Sequence, residues 1–276
     1  MTNMIKSVMT AAAGVLLASA ASAADLAVAP AAPPPPPIDL GFGMKLANDY
    51  VFRGIDNSNG HFAAQGYLEL RAIDWIYAGV WTSNVSFPTA YGLNNPSAEI
   101  DLYGGLRHTW GALTLDLGGL YYEYPSQTIP AGGFTMNYYE LYFKPTYVIN
   151  DMFTIGGNVY GTTNFANSGS SGIYASGTLK VNFPTFLPWK GVATYASGEF
   201  GGQFLDNNRF GVQLPTYATW NVGLGATYDI WTLDLRYSGS SLSQNSCALL
   251  SGVRNWCGNR FIASLAVDTS ILSLMK

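Results

Sequence analysis

From Leu40 onward the chain alternates apolar and polar residues with a period of two, and its few charges fall at the centres of the alternating runs. Successive side chains point to opposite faces of a strand, so each run carries one apolar and one polar face. In Trp231-Thr-Leu-Asp-Leu-Arg-Tyr237, Trp231, Leu233, Leu235 and Tyr237 share one face, and Thr232, Asp234 and Arg236 share the other. Leu113–Leu117, Tyr139–Lys144, Leu68–Ala72 and Ala98–Leu102 repeat the pattern. A soluble sandwich also alternates, but it seldom commits so many of its charges to strand centres. Charged residues make up only 11 % of this chain, against about 25 % in an ordinary soluble domain.

Twelve candidate strands follow, near 41–54, 61–73, 75–86, 97–109, 112–124, 134–149, 152–163, 171–182, 191–202, 216–229, 231–241 and 259–268. Most reach the roughly 9–11 residues that a tilted strand needs to cross a bilayer. Connections after even-numbered strands are tight (Asp74, Trp110-Gly111, Asn150-Asp151, Asp229-Ile230), with 183–190 the exception. Those after odd-numbered strands are longer: 55–60, 87–96, 125–133, 164–170, 203–215 and 242–258. Short turns on one side and long loops on the other are the pattern of outer-membrane barrels. The expected fold is all-β, a transmembrane antiparallel β-barrel of twelve strands with both termini on the periplasmic, short-turn side. Trp75, Trp110, Trp189 and Trp231 sit beside short connections, where an aromatic girdle would meet the headgroup layer. Turn-capping core residues of a soluble sheet are the competing account of these tryptophans.

Residues 1–23 read as a signal peptide: Lys6, an apolar run over 11–18, and Ala21-Ser22-Ala23 before a cleavage point between Ala23 and Ala24. Residues 24–38 are an Ala/Pro-rich periplasmic spacer, whose run Pro33–Pro37 favours polyproline geometry. The barrel occupies 39–276. Export delivers the chain to an oxidising compartment, so Cys247 and Cys257 are expected to form a structural disulfide.

Several function classes fit poorly. Thirteen basic residues against seventeen acidic ones give no electrostatic footprint for nucleic acid. Aromatic residues at 14 % argue against disorder. No run of the body reaches the roughly 20 apolar residues of a spanning helix. His61 and His108 lack a neighbouring serine in a nucleophile setting, so no catalytic residue is expected. The sequence suggests neither a metal cluster nor a cofactor cradle.

The polar parity carries Lys45, Asp49, Arg53, Glu69, Arg71, Glu99, Asp101, Arg107, Asp116, Glu140, Lys144, Lys180, Asp234 and Arg236, seven basic and seven acidic groups. An arginine facing hydrocarbon at the midplane would cost roughly 2–4 kcal/mol, so these residues are expected to face the lumen. They would either line a hydrated pore with weak ion selectivity or interlock as a network that plugs the barrel. Tyr67, Tyr103, Tyr138, Tyr142, Tyr160 and Tyr174 share that parity, as space-fillers or as stacking surfaces for a solute.

Residues 49–66 begin Asp-Tyr-Val-Phe-Arg-Gly-Ile-Asp-Asn. With Tyr77–Val85, Glu99-Ile-Asp-Leu-Tyr-Gly-Gly105, Tyr121-Tyr-Glu-Tyr-Pro125 and Asn137-Tyr-Tyr-Glu-Leu141, the chain resembles the TorF-type porin family of proteobacteria over roughly 39–268. That family is also catalogued as conserved hypothetical proteins bearing a Gly-Cys-Trp signature. Here the Cys-Trp region reads Cys247…Trp256-Cys257-Gly258, and the C-terminal Leu274-Met-Lys276 lacks an aromatic end. The resemblance implies an outer-membrane barrel with pore activity and no defined substrate. The expected partners are outer-membrane lipid and lipopolysaccharide, small hydrophilic solutes and the barrel-assembly machinery. A closed barrel with a structural, adhesion or surface-recognition role is the other reading.

Overall fold

A computed structural model describes residues 38–88, 92–184 and 190–275. The expected signal peptide with its Ala23–Ala24 junction, the spacer up to Pro37, and Trp189 lie outside the described residues.

Twelve strands close into one antiparallel barrel. They are β1 (Ile38–Ala47), β4 (Ala63–Ala72), β5 (Ile76–Ser83), β6 (Glu99–Trp110), β7 (Leu113–Glu123) and β8 (Tyr138–Val148), then β9 (Phe153–Thr162), β10 (Gly172–Asn182), β11 (Val192–Leu205), β12 (Tyr217–Tyr228), β13 (Trp231–Ser240) and β14 (Arg260–Ser270). Each pairs with its neighbours in sequence, and β14 closes on β1 from Gly41↔Ser270 to Ala47↔Ser264. Closure leaves no unpaired edge, which a sheet in hydrocarbon requires. A short helix α1 (Gln244–Ser251) lies in the last long loop, and α2 (Ile271–Leu274) follows β14.

The strand count and the alternation of short turns and long loops match the sequence reading, with one correction. The first strand does not run over 41–54: it leaves the barrel wall after Ala47. Residues Val51–Phe52 (β2) and Ile55–Asp56 (β3) pair only with each other, as a separate hairpin. Asp49 and Arg53 therefore sit on this loop and not on a wall strand.

The distribution of polarity is inverted relative to a soluble protein. Leu68, Leu102, Leu117, Leu141, Phe200, Leu224 and Leu235 are exposed on the outside, whereas Glu69, Glu99, Asp116, Glu140 and Gln203 are buried within. A contiguous exposed apolar band of this kind needs a lipid environment. At the short-turn end Trp75, Trp110 and Trp231 are exposed. Trp75 stacks on His108 with ring centroids 4.0 Å apart, and Trp110 meets both edge-on. Among the described residues no helix is long and apolar enough to cross a membrane.

Candidate functional site: a plugged lumen

The loop after β1 turns inward because Asn48 replaces the backbone of the ladder it leaves. Its Nδ2 donates to the Phe261 carbonyl at 3.1 Å, and its Oδ1 accepts from the Ala263 amide at 2.7 Å. The β2–β3 hairpin then reverses through Arg53 (φ 47°) and Gly54 (φ 77°), both in the left-handed region that a two-residue type I′ turn demands. Gly54 also lies against the wall: a Cβ there would stand 2.7 Å from Ser240 Cβ and 3.0 Å from the Gly239 carbonyl oxygen.

The tip delivers Arg53 to the opposite wall. Its guanidinium donates twice to the Glu140 carboxylate, at 2.8 and 2.7 Å, and once to Gln203 Oε1 at 3.0 Å. It lies 4.8 Å from the ring centroid of Tyr160 and 4.5 Å from that of Tyr174. Tyr122 Oη donates to the same carboxylate at 2.9 Å. Arg53 and Glu140 are 5 % and 1 % exposed, so each depends on the other for compensation. Burial alone would favour the neutral guanidine, but the adjacent Glu140 outweighs it and holds Arg53 charged.

The rest of the loop grips the near wall. Tyr50 Oη donates to Glu99 at 2.7 Å, as does Tyr124 Oη at 3.0 Å. Arg260 at the start of β14 pairs with Asp49 at 3.1 Å and Asp56 at 2.9 Å. Burial, then the charge of Asp49, pushes the Asp56 carboxyl up to about 6 against the opposing pull of Arg260. The Asp56 amide donates to the Trp256 carbonyl, and Trp256 Nε1 to Asn59 Oδ1, both at 2.9 Å.

Above the loop lies an apolar cap. Phe87, Tyr124, Tyr138, Val253 and Trp256 pack around the Cys247–Cys257 disulfide, with Phe52 and Ile55 of the hairpin against them. The expected bridge is present, and it pins α1 to the segment bearing Trp256.

The short-turn half is built differently. On the β4–β8 wall Arg107 pairs with Glu69 at 3.1 Å and Asp116 at 3.0 Å; Arg71 shares Glu69 at 2.7 Å, and Lys144 shares Asp116 at 3.4 Å. Tyr77 donates to Asp116 and meets Tyr142, while Arg107 lies 4.0 Å from the Tyr77 ring centroid. On the other wall Arg236 pairs with Asp234 at 3.0 Å, and Lys180 sits over the Tyr195 ring. A chamber of about 670 Å³ remains beneath the hairpin. Its lining runs from Tyr50 and Arg53 down to Thr232 and Asp268, close to the short-turn ends of β13 and β14.

The residues expected to face the lumen thus divide into three groups. Asp49, Arg53, Glu99 and Glu140 fasten the hairpin. Glu69, Arg71, Arg107, Asp116 and Lys144 brace one wall. Lys45, Asp101, Asp234 and Arg236 line the chamber, with Lys180 in a small recess beside it. Sequence reasoning missed Tyr50, Asp56, Tyr77, Tyr122, Glu199, Gln203 and Arg260. Glu199 and Gln203 extend the inward parity of β11, a glycine-rich strand whose alternation is weak. The contacts of Tyr138, Tyr142, Tyr160 and Tyr174 with other side chains show how they fill space in the lumen.

A family described as bacterial protein of unknown function, Gcw_chp, matches residues 31–266. No curated protein matches the chain. In structure the chain is similar to the KdgM porin solved with disordered oligogalacturonate, at 9 % identity and TM-score 0.47, covering 83 % of this chain and 98 % of that one. It is similar to the COG4313 outer membrane channel from Pseudomonas putida F1 at 12 % identity and TM-score 0.48, over 86 % and 96 %. It is also similar to LpxR from Salmonella typhimurium at 11 % identity and TM-score 0.40, over 83 % and 99 %.

Proposed function

Given that this chain belongs to the Gcw_chp family of bacterial proteins of unknown function, we propose that it is a porin-like channel of the Gram-negative outer membrane. Small hydrophilic solutes would cross it by passive diffusion, and the β2–β3 hairpin would act as its gate. The reading includes export through the signal peptide cut after Ala23, insertion by the barrel-assembly machinery, contact with lipopolysaccharide at the long-loop end, and kinship with the TorF-type porins.

One observation carries it: a polar chamber of about 670 Å³ stands directly beneath a hairpin that no disulfide ties down. A barrel needing only rigidity would gain more from side chains filling that space, since an unfilled interior forfeits packing. The hairpin's own anchors are hydrogen bonds and ion pairs, which can exchange for water when it lifts.

A second reading has its own support. The disulfide-braced apolar cap around Trp256 is the part of the lumen most like a soluble core, and it favours a closed barrel that works through its outer surface. Swelling of liposomes containing the folded protein separates the two. Entry of arabinose but not of a tetrasaccharide is the result expected of a channel for small solutes. Exclusion of arabinose would leave the closed barrel.

A further inference from the structure

The chamber's charges do not balance. Its lining holds five carboxylates and three basic groups. Arg53 is consumed by Glu140, and Arg236 by Asp234. Asp49 is satisfied by Arg260. Among the described residues Asp101, Glu199 and Asp268 make no ion pair, and the one basic group left on the lining is Lys45. Glu199 accepts from Tyr174, Ser176, Asn158 and Asn221, all neutral donors. Such donors solvate a carboxylate without cancelling its charge. The charges of Glu199 and Asp268 add up in a cleft walled by low-dielectric protein.

Two acceptors in the same lining have no donor. Asp101 Oδ1 and Gln65 Oε1 are buried without a hydrogen-bond partner, in residues 9 % and 5 % exposed. Leaving a buried acceptor unsatisfied is costly, and such groups in native structures call for an occupant. Asp101 stands in register between Trp81 of β5 and Tyr122 of β7, under the hairpin. Gln65 stands on β4 directly across from Lys45 of β1. Among the described residues no three His, Cys, Asp or Glu are grouped to hold a metal ion. The acceptors are spread over several strands, an arrangement that suits an extended solute with separate donors better than a single ion.

We infer that the chamber binds small organic cations bearing several N–H donors, with Glu199 receiving the charged end and Asp101 and Gln65 accepting further donors. Lys45, across from Gln65, opposes a second positive charge there, so its removal would favour a dication. The inference rests on the channel reading for its biological sense, but occupancy of the chamber is measurable without any flux. It also replaces the weak selectivity expected of seven basic and seven acidic lumen groups: the unpaired charge under the hairpin is acidic.

Isothermal titration of the mature chain, folded in neutral detergent, tests this with agmatine as the probe and glutarate as a dianion of similar length. One-to-one binding of agmatine at least tenfold tighter than glutarate is expected. Glu199→Gln should weaken agmatine fivefold or more, Asp101→Leu should weaken it by a smaller factor, and Lys45→Met should tighten it. Heat-modifiable gel mobility identifies variants that remain folded. Equal affinities for the two probes, no binding of agmatine, or unchanged affinity in the folded Glu199→Gln variant would overturn the inference. Binding without solute flux would remove the channel reading alone, whereas flux without binding would remove this inference alone.

Discussion

The two ends of this barrel are filled by opposite chemistry. At the long-loop end, Phe87, Tyr124, Val253 and Trp256 exclude water around a disulfide, and the ion pair beneath them, Arg53–Glu140, is almost fully buried. At the short-turn end Arg107, Lys144 and Arg71 remain partly exposed, and each carboxylate they meet has two cations to choose from. A buried, singly partnered pair is strongly destabilised by losing one member, whereas an exposed and redundant network is not. The difference places the proposed gate in the tightly latched long-loop end and the brace in the other.

That contrast fails or sharpens under substitution. Glu140→Ala strands the Arg53 guanidinium and should cost the closed hairpin about 3–5 kcal/mol. Limited trypsinolysis reads it: the variant should be cut after Arg53, and the wild type should not. Resistance of both would mean that the cap, and not the latch, holds the loop. Next in size is the lipid face. Leu235→Arg should destabilise the folded barrel by roughly 2–4 kcal/mol, and the chamber-facing Thr232→Arg far less, in urea unfolding from vesicles. Equal cost at both positions would contradict the assignment of faces.

Cys247→Ser should loosen α1 and Trp256 by on the order of 2–3 kcal/mol while leaving the barrel assembled. Faster amide hydrogen exchange confined to 241–259 is the expected signature. Arg107→Ala should cost less than about 1 kcal/mol, because Arg71 still serves Glu69 and Lys144 still serves Asp116. A loss as large as that of Glu140→Ala would erase the distinction between the two ends. The smallest effect concerns pH. The Asp56 carboxyl, facing Asp49, Arg260 and Ser58, is raised to about 6 when the hairpin is closed. The closed state then holds more protons than the free loop, so the hairpin's grip is fullest below about pH 4 and weakens as pH rises through 6. Mobility of a spin label on the hairpin should rise over that window, and Asp56→Asn should flatten the change.

The wall was legible because its signal is periodic. Each strand repeats a two-residue pattern over ten or so positions, and the tight turns at Asp74, Trp110-Gly111 and Asp229-Ile230 fix where it restarts. The hairpin was not, because Tyr50, Phe52 and Arg53 continue the alternation of β1 closely enough to read as one strand to residue 54. What ends β1 is Asn48, whose amide imitates a peptide group, and a single asparagine carries no periodicity. The partners of Arg53 lie 87 and 150 residues away. Which charges pair across a lumen depends on closure and register, and neither is written locally. The two segments that gave the family resemblance its specificity, around Arg53 and around Glu99, meet in space through Tyr50 and Glu99.

Single-channel current through the folded protein in a planar bilayer, wild type beside Arg53→Ala, tests the hairpin's role as gate most directly. Rare, brief openings in the wild type and a several-fold higher mean conductance in the variant are expected, with cations carrying more of the current than anions. Identical traces from the two proteins, whether both silent or both fully open, would contradict it.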